Sequence, residues 1–165
     1  MILAEADKLA AKILHELTPF CERIEVAGSV RRRRENVNDI DLVVIPKNFA
    51  MLRNRIRRRC TLTTDGDTNL IAILPNKVQL DIFVAQAESK DLLAVTPTNF
   101  GALFLCRTGS REHNIWIAKR AQSLGMHFNP YYGLFRQGKC VACATEEDMF
   151  KALDLEFVKP EQRER

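Results

Sequence analysis

Three aspartates are the residues of this chain best placed to do chemistry. Asp39 and Asp41 stand two apart in NDIDLVVI, and Asp81 sits in VQLDIFVA. Leu42 to Ile45 is apolar on both parities, as expected of a strand covered on both faces. Side chains two apart on a strand point to the same side, so Asp39 and Asp41 share one side at the mouth of that strand. Two adjacent carboxylates there cost several kcal/mol in repulsion and desolvation unless a cation lies between them. Hard oxygen ligands converging on one point suit Mg²⁺, which commonly shares its shell with substrate phosphates. Asp81 is a lone charge in an apolar strand, with Val78, Leu80, Ile82 and Val84 on one side and Gln79, Asp81 and Phe83 on the other. It is either misread or paired with a cation. The plain alternative for Asp39 and Asp41 is a solvated strand end with two surface charges.

The residues upstream favour the cation. Val26-Ala27 leads into Gly28-Ser29 and then Arg31 to Arg34. Gly28 permits a tight turn, and Ser29 is expected to cap the following helix, whose outward N–H groups form an anion cradle. The guanidinium forks suit phosphate oxygens. A phosphate cradle ten residues ahead of a metal-binding carboxylate pair describes a nucleotidyltransferase site.

These residues need elements to hold them. Leu9, Ile13 and Leu17, with Ala6 and Ala10 beside them, predict an amphipathic helix over 2–17, closed by Thr18-Pro19. Arg23 to Ala27 reads as a strand feeding the Gly-Ser turn. Asn48 is positioned to cap a helix from about Phe49 to Arg59, with Met51, Leu52 and Ile56 on its apolar side. Its other side carries Arg53, Arg55, Arg57, Arg58 and Arg59, either a solvated face or a nucleic-acid contact; Arg55, Arg58 and Arg59 are the expected DNA-binding residues. Short strands follow at Thr61–Thr64, Leu70–Leu74 and Val78–Ala85, the last two joined through Pro75-Asn76-Lys77. A second unit begins near Thr96-Pro97, read as the N-cap and first turn of a helix running to about Arg107. Gly109-Ser110 breaks and recaps the chain, and a helix from Arg111 to Leu124 ends at Gly125. Strands are expected around Tyr132–Phe135 and Lys139–Ala142, and Thr145 opens a last helix.

The hydrophobic content of 46% is that of a globular protein, and the net charge of +4 with pI near 8.9 is mildly basic. The charge is uneven: from Arg31 to Arg59 ten Lys or Arg residues face three acidic ones, which suits a polyanionic partner. Five cysteines without a regular framework point to a reducing interior. Glu5 and Asp7 interrupt the N-terminal apolar pattern, so no signal peptide is read there, and no run approaches the roughly 18 apolar residues of a membrane span. A soluble intracellular protein with no membrane contact is expected. Cys140-Val-Ala-Cys143 lacks a second ligand pair at zinc spacing, so both are read as structural. Trp116, Phe128, Tyr131 and Tyr132 are read as core or hairpin packing, with Tyr131 or Tyr132 an alternative DNA-facing residue.

Several segments resemble the family X DNA polymerases, the group of DNA polymerase beta: GSVRR…DID and VQLDIFVA, then ALFLCRTGSREHN, then GLFRQGK…ATEEDMFKALDLEFVKPEQRER. They cover nearly the whole chain in family order. The resemblance implies an α/β (α+β) protein: a nucleotidyltransferase palm over 1–93, with a mixed sheet and flanking helices, and a small α/β thumb over 94–165. It implies two Mg²⁺ ions, with Mn²⁺ as a substitute, held by Asp39, Asp41 and Asp81, the last on the metal nearest the primer 3′-OH. Ser29 and Arg32 match residues that hold the β- and γ-phosphates, and Asn114 matches one that touches the incoming base from the minor-groove side. Gly28, Asn38, Gly109 and Ser110 complete the implied nucleotide site. Arg31, Arg33 and Arg34 match no motif position.

The implied activity is template-directed addition of dNTPs to a primer 3′-OH, as in short-gap filling during DNA repair, by a monomer acting on a primer-template or gapped duplex. The rival readings are a template-independent or non-DNA nucleotidyltransferase, which leaves the thumb signature and Asn114 unexplained, and a non-catalytic DNA-binding remnant, which leaves the three aspartates unexplained. The chain departs from the family at Cys106-Arg107, where an aromatic pair is common, at Asn38 in place of Gly, and at Phe83 in place of Arg. No helix-hairpin-helix or lyase segment is read, so a palm and thumb alone are expected.

Overall fold

The computed structural model describes residues 1–91 and 94–164. The described residues are a mixed α+β protein with six α-helices, and they divide into two compact units, Met1–Val84 and Ala85–Arg165. The boundary expected between 93 and 94 falls at Leu93, outside the described residues.

In the first unit a five-stranded sheet has the order β1-β2-β5-β4-β3. The strands are β1 (Cys21–Val26), β2 (Asp39–Pro46), β3 (Thr61–Asp65), β4 (Asn69–Ile73) and β5 (Gln79–Val84). Every neighbouring pair is antiparallel except β2 and β5, which are parallel. Helix α1 (Leu3–Leu17) buries Ala6, Ala10, Ile13 and Leu17, a three-and-four spacing that lines one stripe. Leu9, expected in that stripe, is half-buried at its edge. Helix α3 (Phe49–Arg57) starts as expected, with Asn48 Oδ1 accepting from the Met51 N–H at 3.0 Å. It buries Leu52 and Ile56, while Met51, one residue and about 100° away, is exposed. These helical residues pack with Ile40, Leu42, Val44, Leu70, Ala72, Leu80 and Ile82 into one core. All seven lie on one face of the sheet, so Asp39, Asp41 and Asp81, of the opposite parity in β2 and β5, lie on the other.

In the second unit α4 (Phe100–Thr108), α5 (Arg111–Ser123) and α6 (Glu146–Ala152) surround a core of Ala102, Leu105, Ile117, Ala121, Met149, Phe150 and Leu153. A three-stranded antiparallel sheet, β8 (His127–Asn129), β9 (Gly133–Arg136) and β10 (Lys139–Ala142), runs in the order β10-β9-β8. Thr96-Pro97 does not open α4. Thr96 ends β7 (Ala94–Thr96), which pairs with β6 (Ser89–Asp91), and the helix starts at Phe100. The residue before a proline is held extended, which keeps Thr96 in the strand. The next two residues tie the chain down instead. Thr98 Oγ1 donates to the Gln86 carbonyl at 2.6 Å, and the Asn99 amide bridges Gln86 N–H and the Tyr131 carbonyl, both at 2.7 Å. Gly101 is where α4 meets the entry to α6; a Cβ there would lie 2.4 Å from the Thr145 backbone.

Candidate active site

The three aspartates are brought together by the central parallel pair. In register Asp41 lies opposite Asp81, and Asp39 lies opposite Gln79. Asp41 and Asp81 are thus direct neighbours across two hydrogen-bonded strands, and Asp39 is two residues along on the same face. The Gln79 side-chain amide donates to Asp81 Oδ1 at 2.8 Å.

The turn after β1 presses on this row. The Ala27 N–H donates to the Asp41 carbonyl at 2.8 Å, so the chain leaves β1 beside Asp41. Gly28 takes φ +59°, and a Cβ there would fall 1.8 Å from Asp41 Oδ2. Only a residue without a side chain lets the backbone pass the carboxylate. Ser29 is not the helix cap expected from sequence. The short helix α2 (Gly28–Arg31) is preceded by Ala27 as N-cap, in extended conformation, and Ser29 lies within the turn. The hydroxyl freed from capping is buried and has no hydrogen-bond partner among the described residues. Arg32 closes α2 and is half-buried, and Asn38 is exposed just ahead of β2. Arg33 turns away to Asp7, which accepts two hydrogen bonds from its Nη1 at 2.8 and 3.0 Å.

The donor set of this face, three carboxylates, suits a hard divalent cation. Among the described residues no three His, Cys, Asp or Glu side chains are gathered closely enough to hold a metal by themselves. Asp81 accepts instead from the Gln79 side-chain amide.

The basic side of α3 is largely neutralised from within. Arg53 reaches Asp65 at 2.9 Å and Asp67 at 3.1 Å and lies over the Phe49 ring, Arg57 also pairs with Asp65, and Arg55 pairs with Glu16 at 3.2 Å. Arg58 and Arg59, at the end of the helix, are exposed and have no ion pair among the described residues.

In the second unit Ser110 caps α5, its Oγ accepting from His113 N–H at 3.3 Å and donating to the Arg163 carbonyl at 2.7 Å. Gly109 precedes it at φ +70°. Asn114 Nδ2 donates to the Cys106 carbonyl at 2.7 Å, and Asn114 Oδ1 is buried with no partner among the described residues. Arg107 donates to the Tyr131 hydroxyl at 3.2 Å, and burial raises the Cys106 thiol pKa. Cys140 is exposed and Cys143 buried, and burial with the neighbouring Cys140 thiol pushes Cys143 up to about 12. Sequence reasoning missed the pair that ties down the end of the chain. Arg163, fully buried, donates to Glu146 Oε1 at 2.7 Å and lies over Phe150 and Phe157. Nothing in the polar run EQRER marks Arg163 as buried.

Fold and site define a two-unit α+β protein with a row of carboxylates on one face of a mixed sheet. Comparison with known proteins narrows the class. Residues 103–164 match the family model of the DNA polymerase beta thumb. Over 160 residues, 95% of this chain, the sequence is 27% identical to the DNA polymerase/3′-5′ exonuclease PolX of Bacillus subtilis (strain 168). The chain spans 27% of that relative's length. The chain thus resembles a family X polymerase in sequence, over these stretches. No helix among the described residues is long and apolar enough to cross a membrane.

Proposed function

We propose that the chain is a template-directed DNA polymerase that adds dNTPs to a primer 3′-OH, filling short gaps in DNA repair, with residues 1–93 as palm and 94–165 as thumb. One observation carries this reading: Asp81 is the direct neighbour of Asp41 on the face that bears Asp39, in a polymerase-like chain. Asp39, Asp41 and Asp81 would hold Mg²⁺ (Mn²⁺ as a substitute), which when bound lowers the pKa of the attacking hydroxyl and neutralises charge on the leaving pyrophosphate. In this reading Asp81 also accepts the 3′-OH proton. The unpartnered Ser29 hydroxyl donates to a triphosphate oxygen, and Arg32 supplies a charged fork for the same group. Gly28 keeps the turn close to Asp41. Gly109 and Ser110 set the start of α5, from which Asn114 touches the incoming base; Asn38 lies at the lip of β2. Arg58 and Arg59, just after α3, are left to meet DNA phosphates, Arg55 being engaged by Glu16.

Primer extension on a gapped duplex, with each dNTP offered singly, tests the proposal. Addition of only the nucleotide complementary to the template is the expected result. Addition of all four alike would mean a template-independent transferase, and no addition would contradict polymerase function.

A further inference from the structure

We infer that the cavity between α1 and α3 binds a small amphipathic anion, an aryl or short acyl monocarboxylate. The cavity measures about 240 Å³ and lies on the helix-covered face of the sheet, opposite the carboxylate row. Ile13, Leu17, Ile56, Leu74 and Leu80 give it an apolar lining, and Lys12, Arg55, Arg59 and Glu16 give it a charged one.

Three features define the occupant. The first is size. An apolar cavity of about 150 Å³ accepts benzene, so this one holds a ring with a short chain, or an acyl chain of similar bulk. The second is charge. Three cations face one carboxylate, and neither Lys12 nor Arg59 has an ion pair among the described residues. The third is an unmet hydrogen bond. Arg55 Nη2 donates to Glu16 Oε2 at 3.2 Å, but its Nε–H is buried with no acceptor among the described residues. Leaving a buried guanidinium N–H without a partner is costly; Arg55 lines the cavity, and a turn of its guanidinium toward an entering carboxylate pairs that N–H in the forked geometry arginine and carboxylate prefer. Glu16, which lines the cavity and engages Arg55 Nη2, repels an incoming anion, so it holds the affinity down. The apolar body of the ligand then covers Ile13, Ile56 and Leu80, which gains the usual free energy of apolar burial.

The test is titration of the full chain with 4-phenylbutyrate, read from the methyl NMR signals of Ile13, Ile56 and Leu80, with 4-phenylbutan-1-ol as the uncharged counterpart. Saturable shifts at those methyls are expected, with the alcohol binding at least about tenfold more weakly, as is the carboxylate to Arg55→Gln. Glu16→Gln is expected to tighten carboxylate binding several-fold, a result that a damaged fold would not give. No saturable shift, equal binding of acid and alcohol, or weaker binding by Glu16→Gln would each overturn the inference. None of these readouts depends on polymerase activity.

Discussion

Replacing Gly28 with alanine is expected to disable catalysis far more than it destabilises the fold. Two effects act at this position. The residue sits at φ +59°, so any L side chain is strained, at about 1–3 kcal/mol. The new Cβ would also lie 1.8 Å from Asp41 Oδ2 and 2.7 Å from its carboxyl carbon. Ordinary contact needs more than 3 Å, so the carboxylate must move by over an ångström or the turn must lift away. Asp41 sits on β2 beside Asp81 on β5, and its backbone cannot yield without disturbing β2. A displacement of roughly 1 Å in a positioned catalytic group costs on the order of a hundredfold in rate. Gly125→Ala is the control: it has the same left-handed backbone, φ +66°, but nothing within 4 Å of the added Cβ. In thermal unfolding both variants should lose stability from the left-handed strain, Gly28→Ala somewhat more because of the clash with Asp41. In single-nucleotide insertion, Gly28→Ala should lose about a hundredfold or more and Gly125→Ala little. Insertion by Gly28→Ala within about threefold of the parent would refute the reasoning that Gly28 exists to make room for Asp41.

Other outcomes follow from the same geometry. Arg58→Gln and Arg59→Gln should each weaken DNA binding and lower the slope of log affinity against log salt by about one unit, measured by fluorescence anisotropy. Arg53→Gln should instead lower stability, because that guanidinium serves Asp65 and Asp67; an unchanged salt slope for both Arg58 and Arg59 would make the end of α3 only a solvated face. Cys106 is small where the family commonly has an aromatic, so ribonucleotides should be inserted within about two orders of magnitude of deoxyribonucleotides. Matched single-turnover insertion would show this, and Cys106→Tyr should raise the discrimination. Glu146→Ala leaves Arg163 charged and buried without its partner, and should cost about 3–5 kcal/mol in denaturant unfolding.

Local pattern made much of this molecule legible, and long-range pairing accounts for most of what it hid. The side-by-side placement of Asp39 and Asp41 follows from the two-residue period of a strand, and the helix starts at Asn48, Ser110 and Thr145 follow from their hydroxyl or amide oxygens. That Asp81 lies beside Asp41 was implied by the family resemblance alone and not by local pattern. Two strands and a helix intervene in the chain, and no local pattern says which strands become neighbours. Gly28 shows a turn in the sequence, but its second reason, the carboxylate pressing on it, appears only in three dimensions. The cap assigned to Ser29 belongs to Ala27, because the chain remains extended for one residue beyond β1 before it turns. The strands β6, β7 and β8, three residues each, are too short to show an alternating pattern. The arginines of α3 could be counted, but not their partners Asp65, Asp67 and Glu16, which come from other elements.

The central claim is that Asp39, Asp41 and Asp81 act as one metal-dependent site for nucleotide addition. Its most direct test is the rate of single-nucleotide insertion on a gapped duplex by Asp81→Asn, with Mg²⁺ varied and folding checked by circular dichroism. Asp81 is decisive because only its pairing with the Asp41 strand puts it in the row. The account predicts a folded protein with insertion abolished at every Mg²⁺ concentration. Near-normal insertion by folded Asp81→Asn would contradict it.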